Sequence, residues 1–304
     1  MSNNYSYSKV ETYESCPFKY KLKYVDNNYF FCNSIATEFG TLVHATEEAI
    51  AKAIKAGEPI NYIKLKNNFV LEARKLSHKY PNDYFAPDKS EKTYEEKARY
   101  YLDTAIYHLE QFMKDHPTYE IVGIEAPFEF VFDETHIFKG FIDRVFHDRL
   151  TDTYIIQDIK TWAVEAEKDK LTTPLQFVVY VLAAEKLYGS SRQKMSCQYY
   201  LPICNCITQD AGTSGFMDRG LTKIKKLFKE ISEEQFTPKP TPLCHWCEFC
   251  STNANAPEAG KFLCPYFSHW TRDNKSFQKE NNWEGVEKHN EILEAYHRSV
   301  GYKK

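Results

Sequence analysis

The chain has 304 residues, 42% hydrophobic and 15% aromatic, which is enough for one large domain or for a core with an appended module. Its net charge of −3 excludes a general attraction to nucleic acid, so DNA binding would need a local basic surface. The sequence has no apolar run of membrane-spanning length and no signal-peptide pattern at its start, which predicts a soluble, cytoplasmic protein without membrane contact.

A first helix is predicted near the N-terminus. It begins at Ser8-Lys-Val-Glu11, which has the spacing of a capping box, and Pro17 divides it just after Cys16. Lysines and tyrosines are mixed between residues 19 and 24. Such a segment could follow a nucleic-acid strand through charge and stacking, or it could be a solvated helix face.

A second helix is predicted from about Phe39 to Lys55, because its apolar residues recur with helical spacing. His44 lies beside the apolar stripe, where a histidine is either a hydrogen-bonded structural residue or a metal ligand. Glu47 and Glu48 are within one turn of it and are expected to be solvated, although a metal could recruit either.

The segment from residue 58 to residue 117 is polar and helical in pattern, and we predict that it is an insertion. Tyrosine-rich and lysine-rich runs occur around residues 94 to 112. They do not indicate any particular chemistry.

The hydrophobic period changes to two at Tyr119, which predicts a strand that ends in a polar turn around Glu134. The register of this turn decides which residue faces the next strand. A turn centred on Glu134 places Glu125 opposite Asp143, whereas a half-residue shift places a neighbour there.

The second turn of this predicted meander brings acidic residues together. A turn centred between residues 150 and 151 places Asp143 opposite Asp158, and side-chain alternation puts Lys160 on the face of Asp158. Two facing carboxylates in a mostly apolar sheet repel each other, and a single lysine offsets this only in part. The pattern indicates a site for Mg²⁺ or Mn²⁺, with a solvated salt-bridge cluster as the alternative.

The elements after the meander complete an α/β arrangement. A helix is predicted from Leu171 to Tyr188, in which Gln176 and Tyr180 share one face, and a strand from Cys197 to Cys204 follows. A basic helix from about Met217 to Ser232 could hold phosphates, although exposed helices often have this composition.

Nine cysteines are many for a protein of the cytoplasm, where disulfides are rare. Three of them form the pattern Cys244-x-x-Cys247-x-x-Cys250 in a polar, proline-flanked segment, and Cys264 follows. This spacing is a strong indication of a metal or iron–sulfur centre.

Five short motifs occur in an order that resembles the RecB-like branch of the PD-(D/E)xK nucleases. They are Cys16-Pro-Phe-Lys-Tyr20, Gly40-Thr-Leu-Val-His44, Gly140-Phe-Ile-Asp143, Asp158-Ile-Lys160 and Gln176-x-x-x-Tyr180. The resemblance is to the stand-alone exonucleases of CRISPR systems and phages and to the nuclease modules of AddAB-type helicase–nucleases. It covers about Ser8 to Phe267 apart from the insertion.

This resemblance implies an α/β, restriction-endonuclease-like core: helix, three-stranded antiparallel meander, helix and strand. Residues 1–304 would form a single nuclease domain. Within it, residues 58–117 would be the helical insertion and residues 119–205 the catalytic sheet and helix. Residues 238–267 would form a C-terminal cysteine-cluster module that closes onto the N-terminal helix.

The resemblance also implies roles for the motif residues. The catalytic Mg²⁺ or Mn²⁺ would be held by three side chains and one backbone carbonyl, those of His44, Asp143, Asp158 and Ile159. Lys160 would orient the attacking water or help to deprotonate it. Gln176 and Tyr180 would support the site or the substrate.

A [4Fe–4S] cluster, held by one early cysteine and three late ones, is implied in the same way. Cys16, Cys244 and Cys247 match three ligand positions. The fourth would be Cys264, because its Cys-Pro-Tyr context is similar to the family's ending, with Cys250 as the alternative. A zinc site formed by the four late cysteines also remains open.

The function that the resemblance implies is a metal-dependent DNA exonuclease that hydrolyses phosphodiester bonds and leaves a 5′-phosphate and a 3′-hydroxyl. The substrate would be DNA that is single-stranded or has a free end, in a bacterium, an archaeon or a phage-infected cell. Recombination, repair or DNA processing would be its role, with a helicase, recombination or integrase partner. The alternatives are a catalytically inactive DNA-binding or scaffold subunit, stapled by an iron–sulfur or zinc centre, and a zinc-stapled protein-interaction module.

Overall fold

The computed structural model describes residues 4–30, 32–88, 90–161, 175–204, 206–209, 214–239, 241–250, 253, 255–261, 263–264, 266–271 and 276–281. The chain divides into two compact units. The terminal unit contains Ser8–Ser34 and Lys225–Lys304, and the sheet unit contains Ser2–Tyr7 and Ile35–Ile224. The predicted start of a helix at Leu171 and a helical pattern at residues 286–296 lie outside the described residues.

The described residues form nine α-helices. They are α1 (Tyr7–Ser15), α2 (Pro17–Tyr20), α3 (Ile35–Ala56), α4 (Tyr62–Lys79), α5 (Pro81–Phe85), α6 (Tyr94–Asp103), α7 (His108–Asp115), α8 (Leu175–Tyr188) and α9 (Ser214–Ser232). The predicted break at Pro17 is confirmed, since Cys16 is the N-cap of α2 and its Sγ accepts a hydrogen bond from the Lys19 amide. None of these helices is long and apolar enough to cross a membrane.

The same residues form eight strands. They are β1 (Asn4–Tyr5), β2 (Tyr119–Val131), β3 (Ile137–Asp148), β4 (Thr153–Ile159), β5 (Met195–Leu201), β6 (Cys206–Gln209), β7 (Tyr266–Thr271) and β8 (Ser276–Asn281). In the sheet unit the strands run in the order β1-β3-β4-β5-β6, and β2 also pairs with β3. β7 and β8 form a separate antiparallel pair.

The order of these elements confirms the predicted α/β core. β2, β3 and β4 are an antiparallel meander, and α8 then leads to β5, which runs parallel to β4. The long helix α3 precedes the meander, so the sequence of helix, three strands, helix and strand is the one expected of a restriction-endonuclease-like core.

The register between β3 and β4 is the predicted one. Arg144 lies opposite Gln157, which centres the turn between residues 150 and 151. The pairing of β3 with β4 ends at Arg144 and Gln157, and Asp143 and Asp158 are the adjacent residues just outside the paired region. The two aspartates therefore come at the point where β3 and β4 stop pairing.

The register between β2 and β3 centres their turn on residue 134. Ala126 lies opposite Ile142, and the register is the same on both sides of residue 125. Glu125 therefore faces Asp143 across the strand pair. Of the two registers that the sequence left open, this is the one that adds a carboxylate to the acidic residues.

Gly140 of the Gly140-Phe-Ile-Asp143 motif is explained by a close approach of an aromatic ring. Phe128 lies opposite Gly140, and a methyl group added there would come within 2.8 Å of the Phe128 ring. Any other residue at this position, three residues before Asp143 on β3, would have to displace the Phe128 ring of the facing strand.

A buried ion pair joins α3 to the sheet. Glu47 and Arg144 are 0% and 1% exposed, and Arg144 Nη2 lies 2.9 Å from Glu47 Oε2. Arg144 also donates to Gln157 Oε1 at 3.0 Å, and the Tyr101 hydroxyl donates to Glu47 Oε1 at 2.9 Å. Burial and the charge of Glu47 raise the pKa of Tyr101 well above its ordinary value, so Tyr101 remains a donor.

The prediction that Glu47 is solvated is therefore wrong. Its partner Arg144 comes from a strand 97 residues later in the chain, and no local pattern indicates that pairing. Glu48, the next residue, does follow the expectation of a surface position, since its side chain pairs with Lys52 one turn further along α3.

Helices α4 to α7 contribute to the same core as α3 and the strands. Their buried side chains pack with those of α3 and with Ile121, Phe146 and Ile155. The residues they supply include Phe69, Ala73, Leu76, Tyr84, Ala98, Tyr101 and Leu109. These helices are thus held to the sheet unit by apolar packing as well as by the Tyr101 hydrogen bond.

Three lysines near the N-terminus, Lys19, Lys21 and Lys23, pair with carboxylates. Lys19 and Lys23 lie 2.7 Å and 3.1 Å from Glu248, whose side chain is buried, and Lys21 lies 2.7 Å from Asp26. Lys19 and Lys23 therefore stabilise the contact of residues 19–26 with the cysteine segment, whereas the Lys21–Asp26 pair is local. The structure favours neither of the two roles that the sequence suggested for them, a nucleic-acid track or a solvated face.

We expect Arg144→Met to lower the free energy of unfolding by about 3–5 kcal/mol, because it leaves Glu47 buried without a partner charge. Glu47→Gln combined with Arg144→Met removes both charges and should recover much of that loss. Chemical denaturation measures both effects. Lys52→Met, which breaks the exposed pair on the same helix, is the control and should cost about 0–0.5 kcal/mol. An Arg144→Met variant no less stable than Lys52→Met would contradict the prediction.

Candidate active site

Three potential metal ligands converge beside the middle of α3. Ligand atoms of His44, Glu125 and Asp143 all lie within 4.8 Å of one another. α3 supplies His44, and the facing strands β2 and β3 supply Glu125 and Asp143. One nitrogen and two carboxylates at this separation can share a single divalent cation.

Hydrogen bonds fix the orientation of His44 and Asp143. His44 Nε2 lies 2.9 Å from the Ile159 carbonyl oxygen, which can only accept, so Nε2 carries the proton. In the neutral ring this leaves the Nδ1 lone pair facing Asp143 Oδ2 at 3.8 Å. The Ile159 amide donates to Asp143 Oδ2 at 2.7 Å. Both backbone polar groups of Ile159 thus hold candidate ligands, in the manner of a second coordination shell.

Glu125 has a strained backbone and an unfavourable electrostatic position. Its φ of +41° lies in the left-handed region, which costs a residue with a Cβ on the order of 1 kcal/mol. Burial, and then the negative charges of Asp143 and Glu48, raise the pKa of its carboxyl group. A cation bound between Glu125 and Asp143 would relieve the repulsion, so the donor set fits a divalent metal ion.

Asp158 and Lys160 form an ion pair beside these ligands. Lys160 Nζ lies 2.7 Å from Asp158 Oδ2, and Asp158 is 1% exposed, whereas the lysine is partly exposed. Gln176 Nε2 donates to Asp158 Oδ1 at 2.8 Å and also lies 2.9 Å from the Tyr180 hydroxyl. α8 therefore orients Asp158 from one side while Lys160 approaches it from the other.

Tyr180 is unsuited to accept a proton from water. Burial, and then the charges of Asp158 and Asp143, raise its pKa far above the ordinary value for tyrosine. Its hydroxyl therefore stays protonated at neutral pH and can serve only as a hydrogen-bonding group. Of the candidate residues, Lys160 is the cation that reaches an acidic group of the site.

The structure brings the sequence-predicted residues into one region. His44, Asp143 and the Ile159 carbonyl meet directly, and Asp158 is linked to Lys160 and to Gln176. The arrangement differs from the implied ligand set in one respect. Glu125 completes the compact group with His44 and Asp143, and Asp158 is ion-paired instead.

Gly40, in the motif that ends at His44, is placed against the strand-end segment. A methyl group at Gly40 would lie 3.3 Å from Thr161 Oγ1, the residue after Lys160. A larger residue at this position would require Thr161 to shift by a few tenths of an ångström. The presence of a glycine four residues before His44 therefore reflects the close approach of α3 to the Asp158-Ile-Lys160 segment.

A second candidate centre lies within the terminal unit. A cavity of about 280 Å³ is lined by Cys16, Cys244, Cys247, Cys250 and Cys264, together with lysine and apolar side chains. The eight cysteines whose side chains the structure describes are not in disulfides. One thiol from the first helices thus shares a cavity with four from the late cysteine segment.

Charges surround this cavity. Burial raises the pKa of Cys247 to about 12, and Lys19 opposes the shift. Burial alone would lower the pKa of Lys19, but Cys247, Glu248 and Cys16 raise it above its ordinary value. Lys19 therefore stays protonated beside the sulfur atoms, where it would offset negative charge on bound thiolates.

We expect Glu125→Gln to weaken Mn²⁺ binding at least about tenfold, because it removes one of the charged ligands. The metal-free protein should be equally stable or more stable. A raised carboxyl pKa means that ionised Glu125 destabilises the fold at neutral pH, and the amide carries no such charge. Calorimetric titration with Mn²⁺ and chemical denaturation in a chelator measure the two effects. Glu120→Gln, at the exposed start of β2, is the control, and equal losses in both variants would contradict the prediction.

Comparisons with known proteins agree with this geometry. Residues 4–252 match the family described as the PD-(D/E)XK nuclease superfamily. Over 229 residues the chain is 27% identical to an ATP-dependent helicase/deoxyribonuclease subunit of Carboxydothermus hydrogenoformans. That match covers 66% of this chain but only 20% of the relative, so the chain spans about a fifth of the relative's length. Because the family match extends over well more than half of its residues, the chain belongs to the PD-(D/E)XK nuclease superfamily.

Proposed function

We propose that the protein is a metal-dependent DNA exonuclease. The observation that carries this proposal is the meeting of His44, Glu125 and Asp143 beside the Asp158–Lys160 ion pair. A carboxylate-rich group with one lysine has the components for hydrolysing a phosphodiester bond. The similarity to a helicase/deoxyribonuclease supports DNA as the substrate.

The residues that would hold the catalytic ion are His44, Glu125 and Asp143, with Asp158 and the Ile159 carbonyl as neighbouring oxygen donors. A bound Mg²⁺ or Mn²⁺ would polarise the scissile phosphate and lower the pKa of the attacking water. The Ile159 backbone keeps His44 and Asp143 in place before any ion arrives. The site is therefore organised in advance, which reduces the cost of assembling it around a ligand.

Lys160 would orient the attacking water. Its ammonium group is partly exposed and is anchored by Asp158, so it can donate a hydrogen bond to a water while remaining fixed. In-line attack would form a bond from the water oxygen to phosphorus and break the bond from phosphorus to the 3′ oxygen, while the attacking water gives up one proton to solvent. The products would be a 5′-phosphate and a 3′-hydroxyl, whose oxygen takes up one proton as it leaves. Gln176 would hold Asp158, and the protonated Tyr180 would hold Gln176.

Exonuclease action on a free or single-stranded end is the mode that the motif order supports, through its resemblance to RecB-like exonucleases. The relative's name joins a helicase to a deoxyribonuclease, and we propose that this chain likewise acts on DNA opened by a helicase or recombination partner. Such a nuclease would serve recombination, repair or DNA processing.

We expect Lys160→Ala to reduce cleavage of single-stranded DNA in Mg²⁺ or Mn²⁺ by about a hundredfold or more, with little effect on DNA binding. Chelation of the metal should abolish cleavage by the wild-type protein. Gel assays of end-labelled DNA measure both effects.

Lys194→Ala is the matched control, because Lys194 also pairs with an aspartate, Asp152, but at an exposed position away from the candidate ligands. It should cleave as the wild type does. Normal turnover by Lys160→Ala would contradict the mechanism. No cleavage of single- or double-stranded DNA by the wild type in either metal would instead support an inactive DNA-binding or scaffold subunit.

We further propose that the cysteine cavity of the terminal unit holds a [4Fe–4S] cluster. Among the described cysteines, no three sulfur atoms all lie within 4.8 Å of one another. Four sulfurs around one zinc ion would be about 3.8 Å apart, given Zn–S distances of about 2.3 Å. A cluster spreads its ligands over several iron atoms, so its sulfur ligands do not need to lie as close together as those of a single zinc ion.

Cys16, Cys244 and Cys247 would be three of the ligands, and Cys264 the fourth, with Cys250 as the alternative. The backbone brings the two candidates together, since the Cys264 amide donates to the carbonyl oxygen of Phe249, next to Cys250. The cluster would supply a covalent link between α2 and the late cysteine segment within the terminal unit.

We expect protein purified without oxygen to contain iron and to absorb visible light, and Cys247→Ser to lose both. Cys32→Ser is the control, because Cys32 accepts a hydrogen bond from Asn253 and does not line the cavity. Comparing Cys250→Ser with Cys264→Ser identifies the fourth ligand. Zinc as the bound metal, with no visible absorbance, would overturn the cluster proposal.

A further inference from the structure

An exposed apolar pair follows the carboxylates along the β2–β3 hairpin. Two residues beyond Glu125 on β2 is Pro127, and two residues before Asp143 on β3 is Phe141. Pro127 and Phe141 lie opposite each other in the register. The pair is therefore roughly 7 Å along the strands from the candidate metal ligands.

Phe141 is exposed to solvent, although other residues of its strand are buried in the core. Its side chain is 59% exposed, whereas its neighbour Ile142 and nearby Phe138 are both 0% exposed. Pro127 is exposed as well, between the buried Ala126 and Phe128. The alternate residues fill the core, so the apolar pair is not required for packing there. A single exposed aromatic residue is ordinary, but this one is next to candidate ligands.

The next cross-strand pair along the hairpin consists of two opposite charges and has no net charge. Glu129 lies opposite Lys139, and their charged groups are 3.0 Å apart. The lysine's charge is thus offset, and this row has no excess positive charge to attract phosphate. The open surface beside the acidic residues is therefore suited to a flat uncharged group rather than to the sugar–phosphate backbone.

We propose that Phe141, supported by Pro127, binds an unpaired nucleobase of the DNA strand whose phosphate is being cleaved. The inference rests on the proposed nuclease function and deepens it. Every base has an apolar π-face, and stacking on an aromatic side chain contributes to single-strand binding without sequence preference. Phe141 would hold the base and position the adjacent phosphate at the carboxylates.

This role defines the substrate class. In a duplex the faces of the bases are covered by their neighbours, so an aromatic ring can reach a base only where the strand is single or its end is frayed. The protein should therefore bind single-stranded DNA in preference to a blunt duplex. A duplex would become a substrate only after its end has opened.

The test compares oligonucleotides with and without bases. Phe141→Ala should weaken binding of a fluorescein-labelled oligothymidine about fivefold to hundredfold. It should not change binding of an equally long chain of abasic residues. Phe141→Trp should bind oligothymidine at least as tightly as the wild type. Fluorescence anisotropy in a chelator measures binding without cleavage, so the result does not depend on activity.

Val131→Ala is the matched control, because Val131 is 66% exposed on the same hairpin but further from Glu125 and Asp143. It should bind both oligomers as the wild type does. Equal weakening of both oligomers by Phe141→Ala, or no weakening of either, would overturn the proposal. Base-dependent binding through Phe141 in a protein that cleaves nothing would confirm base binding at this position, but it would refute the nuclease proposal and with it the positioning of the scissile phosphate.

Discussion

The buried ion pair between Glu47 and Arg144 is the interaction on which the sheet unit depends. Two charges that are removed from water are tolerated only when each satisfies the other. Glu47 is one helical turn from His44, and Arg144 directly follows Asp143 in the chain. Gln157, which accepts from Arg144, directly precedes Asp158. The contacts among Glu47, Arg144 and Gln157 therefore set the spacing of α3, β3 and β4, which carry candidate catalytic residues.

The sequence alone was sufficient to predict strand pairing where a single short turn determines the register. The pairing of β3 with β4 follows from one turn whose centre can be placed by counting, and the structure has that register. The position of Glu125 could be narrowed to two registers, because its turn is longer and more polar. Side-chain alternation predicted that Lys160 would accompany Asp158, and the two form an ion pair.

Contacts between distant parts of the chain could not be predicted in this way. Glu47 has the same local sequence surroundings as the partly exposed Glu48, and only the fold decides which of them meets Arg144. Lys19 and Lys23 are similar: their partner Glu248 is more than two hundred residues away, so a local pattern of lysines and tyrosines could not indicate it. The spacing of the late cysteines grouped them only with one another. Cys16 was joined to them by the family resemblance, and in the structure it lines the same cavity.

The left-handed backbone of Glu125 also has a consequence for divergence among related chains. A glycine or an asparagine adopts this conformation at lower cost, and neither places a second negative charge beside Asp143. Retaining glutamate here is therefore unfavourable for folding, and only a use for its carboxylate would maintain it. In a descendant that has given up cleavage but kept the sheet, position 125 should drift early to glycine or asparagine. The identity of this one residue would then separate active members of such a lineage from those retained only as scaffolds.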